Sequence, residues 1–143
     1  MDGKGSAMTG GRATLVDALA ARAPDRAVEI GVGTRPAVAA ELASRGREVA
    51  ATDVVERSVP AEVSFVRDDA VHPDPAVYRG ADLVYALNCP PELQRPLVDL
   101  ARDADATWAF TTLGADPATV DANPRTLPNG TLFTPTVRND PVG

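Results

Sequence analysis

Apolar positions along this 143-residue chain follow two rhythms that alternate. Near-continuous apolar runs fall at 26–31, 48–53, 63–67, 81–87 and 106–113, short enough for strands and, in most cases, unbroken enough to be buried on both faces. Between most of them, apolar residues return every three or four positions, the mark of an amphipathic helix. Residues 12–22 place Leu15, Val16 and Leu19 on one face. From Thr34 to Arg45 the inward positions are Val38 and Leu42; Thr34 predicts an N-cap, Pro36 lies in the first turn, and Gly46 ends the helix. A short helix fits 74–79. A longer one opens at Pro91 and Glu92 and runs to about Arg102, with Leu93, Leu97, Val98 and Leu100 largely inward.

Strands alternating with helices predict a parallel α/β sheet. The expected fold is a single Rossmann-like, doubly wound and mostly parallel sheet of order 3-2-1-4-5, with a ligand at the carboxyl ends of strands one to four. Two regions depart from this rhythm. Nine residues, 54–62, separate the second and third strands, whereas a helical crossover takes about 10–12; nine extended residues still reach roughly 30 Å. A loop or single turn is expected there, leaving one sheet face thin. Residues 115–143 hold five prolines and the turn Pro128-Asn129-Gly130. At most one strand, 131–134, is expected in this tail, confined to an edge by Pro135. Residues 1–10 read as a flexible, polar, glycine-rich lead, so that 11–143 form the domain.

Composition narrows the function classes. The net charge of −6 argues against nucleic-acid binding through a broad basic field, since phosphate neutralisation dominates that affinity. The opening segment has no signal-peptide run, and nothing approaches the roughly 18–20 apolar residues of a membrane span; a cytoplasmic protein is expected. The single cysteine, Cys89, fits a reducing compartment, and with one histidine, His72, no metal site is expected. Thirteen arginines accompany one lysine, and fourteen Asp accompany six Glu, a balance produced by a salty cytoplasm, by GC-biased coding, or by both.

Candidate chemistry is concentrated in Val28-Glu29-Ile30-Gly31-Val32-Gly33 and in Asp53, twenty residues past Gly33. Alternate glycines after a strand let a ligand approach the backbone, and an acidic residue ending the next strand takes ribose hydroxyls. Pro36 occupies the place of the third glycine of the dinucleotide fingerprint, which counts against NAD and its pyrophosphate. Asp68 and Asp69 follow the third strand, with His72 just beyond, a surface residue on this reading. Asn88-Cys89-Pro90-Pro91 follows the fourth. Pro90, Pro91 and Glu92 suit a helix start; Asn88 is a weak catalytic candidate, and Cys89 has no nearby base to make it a nucleophile.

Glu29-x-Gly31-x-Gly33 resembles the acidic glycine motif of S-adenosylmethionine-dependent methyltransferases. That resemblance implies that Glu29 faces the methionine part of the cofactor and that Asp69, followed by Ala70, receives the adenine amino group. With Ala51-Thr52-Asp53, Asp68-Asp69, Tyr78-Arg79-Gly80-Ala81-Asp82-Leu83-Val84-Tyr85 and Pro90-Pro91-Glu92-Leu93-Gln94, the chain looks like a small uncharacterised archaeal family over roughly 12–113. That family is similar to the Rossmann-type (class I) methyltransferase core. Its members carry Arg-Pro-Pro-Pro-Glu-Leu after the fourth strand, where this chain has Asn88 and Cys89 before Pro90. The implied function is S-adenosylmethionine binding by Glu29, Gly31, Gly33, Asp53 and Asp69 in a truncated methyltransferase-like domain, in which an enzyme needs a second copy or a protein partner to complete its site. Two alternatives stand beside it. The stretch Ala37 to Asp53 also resembles NAD-binding potassium-uptake regulators, and a degenerate Rossmann protein could serve as a non-catalytic assembly subunit.

Overall fold

The computed structural model describes residues 3–136, with side chains from Gly11 onward. Helix α1 (Gly3–Arg22) leads into β1 (Arg26–Ile30), α2 (Ala37–Ser44), β2 (Glu48–Asp53) and β3 (Ser64–Arg67). Then come α3 (Pro75–Tyr78), β4 (Leu83–Ala86), α4 (Pro91–Asp103), β5 (Thr107–Thr111), β6 (Asn123–Leu127) and β7 (Gly130–Thr134). The sheet order is β3-β2-β1-β4-β5-β7-β6. The first five strands are parallel in the expected order, and β7 runs antiparallel to both β5 and β6.

Strand alternation divides the core into two layers. Ala27, Leu83 and Tyr85 join Val16, Leu19, Val38 and Leu42 on the face covered by α1 and α2. Val28, Ile30, Val84 and Phe110 face the opposite layer with Leu97, Val98 and Tyr78 from α4 and α3. Gly46 (φ +89°) ends α2: its N–H donates to the Ala43 carbonyl, and that of Arg47 to the Leu42 carbonyl, the paired bonds of a Schellman cap. The Arg47 guanidinium then donates to the carbonyls of Ala20 and Ala23, which ties the end of α1 to the end of α2.

Four sequence expectations need correction. Backbone from Gly3 onward is helical, so α1 begins within the stretch read as a lead. Thr34 does not cap α2: the helix starts at Ala37 with Pro36 in the capping position, because residues 32–35 form a turn closed by Arg35 N–H on the Val32 carbonyl. The tail holds two strands rather than one, and 131–134 is not an edge. Pro135 lies just past β7 and so withholds no N–H from it, while the polar β6, with Pro124, takes the edge. The sheet is therefore not truncated at this side. Residues 54–63 contain no helix, as expected; residues 137–143 of the tail lie outside the described range.

The tail docks through apolar burial. Leu132 and Phe133 are buried, worth about 1.5–3 kcal/mol each. Phe133 is the register partner of Phe110, at a ring-centroid distance of 5.3 Å, and Phe110 stacks on Trp108 at 5.7 Å. Gln94, fully buried on α4, holds the connection before β6: its Oε1 accepts from the Thr119 N–H and hydroxyl at 2.6 and 3.0 Å. The conspicuous Gln of Pro-Pro-Glu-Leu-Gln is thus a loop clamp. At the other side, a Cβ on Gly11 would collide with the Asn129 side chain, so α1 lies directly against the β6–β7 turn.

Candidate functional site

The carboxyl ends of β1, β4 and β5 open into a cleft of about 630 Å³, closed on its sides by α1, the start of α2 and the β6–β7 turn. Glu29, Gly31, Gly33 and Asn88 line it, together with Arg12, Arg35, Thr111, Thr112 and Asn129. Asp53 and Asp69 do not. Four of the six candidate residues therefore share one cavity, and the other two sit beyond its β2 side.

Glu29 occupies an inward position of β1 and is 1% exposed. Its register partner on β4 is Tyr85, also fully buried, whose hydroxyl donates to Glu29 Oε1 at 2.8 Å. Among the described residues no cation forms an ion pair with Glu29. Burial pushes its carboxyl up to about 7, and the Tyr85 bond, which favours the charged form, pulls the other way. An internal arginine partner, the ordinary structural reason for a buried acid at such a turn, is replaced here by a neutral hydroxyl.

The turn after Glu29 is held from β2. Gly31 and Val32 N–H groups donate to the Thr52 carbonyl at 2.9 and 3.0 Å. Gly31 and Gly33 take φ of +72° and +58°, which favours residues without a Cβ. A Cβ on either would meet nothing within 4 Å. Backbone conformation, rather than crowding, accounts for both glycines, and the space beside them is open.

Asp53 is 9% exposed and already engaged. Its Oδ2 accepts from the Gly33 N–H at 2.9 Å and lies 3.3 Å from Arg57 Nε, while Oδ1 accepts from the Val55 N–H at 3.3 Å. Burial raises its carboxyl, but the Gly33 and Val55 bonds and the Arg57 charge outweigh it, and the net direction is down. The residue twenty positions past Gly33 thus reaches back to Gly33 itself. Asp69 makes a local turn, its Oδ1 accepting from the Val71 N–H at 2.9 Å. Asp68 accepts from the Tyr78 hydroxyl at 2.7 Å and the Asp74 N–H at 3.0 Å. His72 is exposed.

Asn88 adopts φ +51° at the end of β4, and its N–H donates to Thr111 Oγ1 at 2.9 Å. Cys89 N–H donates to the Thr111 carbonyl at 2.7 Å. Burial, with the Glu92 charge adding to it, pushes the Cys89 thiol up to about 12, so it is no nucleophile at neutral pH.

Sequence reasoning missed Tyr85, Thr111 and Asn129 as parts of this site. Tyr85 alone carried a usable signal, since it holds the inward place on the fourth strand that Glu29 holds on the first. It also missed that Val54, Val55 and Val71 are exposed, at 55%, 44% and 53%. They follow the two carboxylates outside the cleft. No helix among the described residues is long and apolar enough to cross a membrane.

Comparison with known proteins bears on this geometry. The profile of the uncharacterised protein family UPF0146 matches residues 13–137. A UPF0146 protein of the archaeon Halobacterium salinarum is 51% identical over 121 residues, covering 84% of this chain and 92% of the relative. One from Archaeoglobus fulgidus is 41% identical over 102 residues, 71% of this chain and 78% of the relative. In fold, the chain is similar to a TehB-like S-adenosylmethionine-dependent methyltransferase from Corynebacterium glutamicum, with TM-score 0.56, 17% identity, and 92% and 91% of the two chains covered. It is also similar to a candidate methyltransferase from an antibiotic biosynthesis pathway of Anabaena variabilis, at TM-score 0.53 and 20% identity over 69% of this chain. It spans only 44% of that protein's length. At these identities the likeness is one of fold.

Proposed function

We propose that this chain, which belongs to the uncharacterised archaeal protein family UPF0146, binds S-adenosylmethionine at the carboxyl ends of β1, β2, β3 and β4. The observation that carries this reading is Glu29: a buried carboxylate lining a cleft, with no ion-pair cation among the described residues. A buried charge is costly without a partner, and a ligand ammonium group supplies one. NAD offers no primary ammonium, and Pro36 stands where its pyrophosphate favours a glycine.

In this reading Glu29 holds the amino-acid ammonium, and the backbone of Gly31 to Gly33 lets the ligand lie close. Asp53 takes a ribose hydroxyl. A carboxylate has about four acceptor sites; the Gly33 and Val55 N–H groups use two, and displacing Arg57, which lies beside Oδ2 as an ion pair, opens access to the rest. Asp69 faces the adenine amino group, and Val54, Val55 and Val71 offer the ring an apolar surface. The bound cofactor supplies a methyl group on a positively charged sulfur. Transfer then depends chiefly on in-line positioning, for which Asn88, beside Thr111 on the cleft wall, is the candidate. A second copy or partner chain completes the site along the β2–β3 edge, where residues 54–63 form no helix.

Calorimetric titration in high salt with S-adenosylmethionine, S-adenosylhomocysteine and NADH tests the proposal. Binding of the first two and loss of both in Asp53→Ala is the expected result. Binding of NADH alone overturns it in favour of the regulator reading, and silence with all three favours the assembly-subunit reading.

A further inference from the structure

Tyr85 does no work in the reading above, yet it makes the one side-chain bond to the Glu29 carboxyl recorded among the described residues. We propose that Tyr85 is a positioning residue for Glu29, and that the pair is a proton-gated seat for a cation: the cleft takes an ammonium group when Glu29 is ionised and refuses it when Glu29 is protonated. The inference rests on the assignment of Glu29 to the ligand's ammonium.

The geometry leaves Glu29 little freedom. It sits on the central strand β1 between β2 and β4, with Tyr85 as its register partner, so the 2.8 Å bond joins side chains on adjacent rigid strands. The groups facing the carboxyl from the surrounding elements are few. From β4 comes the Tyr85 hydroxyl, and from β2 the Thr52 hydroxyl, which donates to the Glu29 carbonyl rather than to its side chain. Arg12 from α1 and Arg35 from the turn line the same cleft without ion-pairing with Glu29, and α2 contributes only Ala37 and Val38. An arginine partner would keep Glu29 ionised at every physiological pH; a hydroxyl does not.

The balance between burial and this bond sets the gate near neutrality, with the carboxyl at about 7. Tyr85 keeps its own proton, since burial and the adjacent Glu29 push its hydroxyl well above the usual range. A donated O–H stabilises the carboxylate more than the carboxylic acid. Removing it moves the gate to higher pH.

Two measurements on the intact protein test this. The first needs no ligand: carbon-13 NMR of labelled glutamate carboxyls, with Glu29 identified by its absence in Glu29→Gln. A titration midpoint near 7 that moves up in Tyr85→Phe is expected; a midpoint below about 5.5, or one unmoved by Tyr85→Phe, overturns the proposal. The second is calorimetry of S-adenosylhomocysteine at pH 6, 7 and 8.5, with 5′-methylthioadenosine, which lacks the amino-acid part, as control. Affinity for the former is expected to rise about tenfold from pH 6 upward, the factor by which ionisation of a group at about 7 changes, while the control stays flat. Tyr85→Phe weakens binding several-fold at pH 7 and recovers at pH 8.5, which a packing defect would not do. A wild-type affinity independent of pH overturns the gate. If the titration shifts as expected but neither ligand binds at any pH, the S-adenosylmethionine reading fails and the positioning role of Tyr85 is supported.

Discussion

Two acidic residues on adjacent strands, Glu29 on β1 and Asp53 on β2, have opposite fates. Glu29 is enclosed by the sheet and two helices, has a neutral partner, and is pushed up to about 7. Asp53 ends its strand beside a crossover without a helix, accepts two backbone N–H groups, lies against Arg57, and is held below its usual range. The contrast extends to their surroundings. The β1–β4–β5 side is a cleft walled by the tail hairpin, whereas the β2–β3 side has no such wall and bears three exposed valines. Similar side chains do different chemistry according to whether the fold gives them partners or only takes away water.

The largest expected effect that can break this contrast lies in stability against pH. Glu29 has a folded value of about 7 against 4.5, so between those values the folded state holds the proton and the unfolded state does not. Its contribution is fully present below about pH 4.5 and lost as pH rises through about 7, on the order of 3 kcal/mol. Urea unfolding of the wild type and Glu29→Gln from pH 4.5 to 8 should give curves that diverge by that amount. Parallel curves would show Glu29 to be ionised throughout.

Asp53 should behave in the opposite sense. Its folded value is lowered, so its stabilisation is present above the unfolded value of about 4 and disappears as pH falls through the folded value. Asp53→Ala leaves the Gly33 N–H and Arg57 without their acceptor. It is expected to lower stability by about 1–2 kcal/mol at pH 7, an effect that shrinks in unfolding experiments once the pH is brought below the unfolded value of about 4 and down through the lowered folded value. A loss that does not shrink would remove the assigned role of the charge.

Asp69→Ala sharpens the comparison further out on the β2–β3 side. Loss of its turn bond to Val71 is expected to cost only about 0.5–1 kcal/mol in thermal or urea unfolding, with a selective fall in affinity for ligands that carry the adenine amino group over those with a keto group there. Smallest of all is Arg57→Ala: an ion pair whose arginine keeps a third of its side chain in solvent contributes about 0–1 kcal/mol, and ribose-containing ligands should bind a few-fold more tightly once Asp53 is freed. Weaker binding would mean that Arg57 serves the ligand rather than competing with it.

The legibility of this protein in its sequence follows the same division. The parallel core was readable because each strand is an apolar run and each long helix has one apolar face. The glycine turn was readable because left-handed backbone conformations strongly select glycine. Strand β6 was not, since Asn123-Pro124-Arg125-Thr126-Leu127 has hardly any side chain turned inward. It is held by the β7 ladder, and β7 by Phe133 against Phe110, contacts that periodicity does not register. Thr34 gave a false cap signal for α2 because residues 32–35 close a turn, with the Arg35 N–H on the Val32 carbonyl, and the helix begins only at Ala37.

Local pattern was enough to specify the parallel strand order, the turn with Glu29, Gly31 and Gly33, and Asp53 and Asp69 at strand ends, since each depends on neighbours a few residues away or on a fixed crossover geometry. It could not specify which carboxylate would be left without a cation, that Tyr85 would reach Glu29 across a parallel pairing, that Asp53 would turn back onto Gly33, or that the tail would add two strands and wall the cleft. Those outcomes depend on distances between residues far apart in the chain and on how much water packing removes around each charge. Both quantities exist only once the chain has folded.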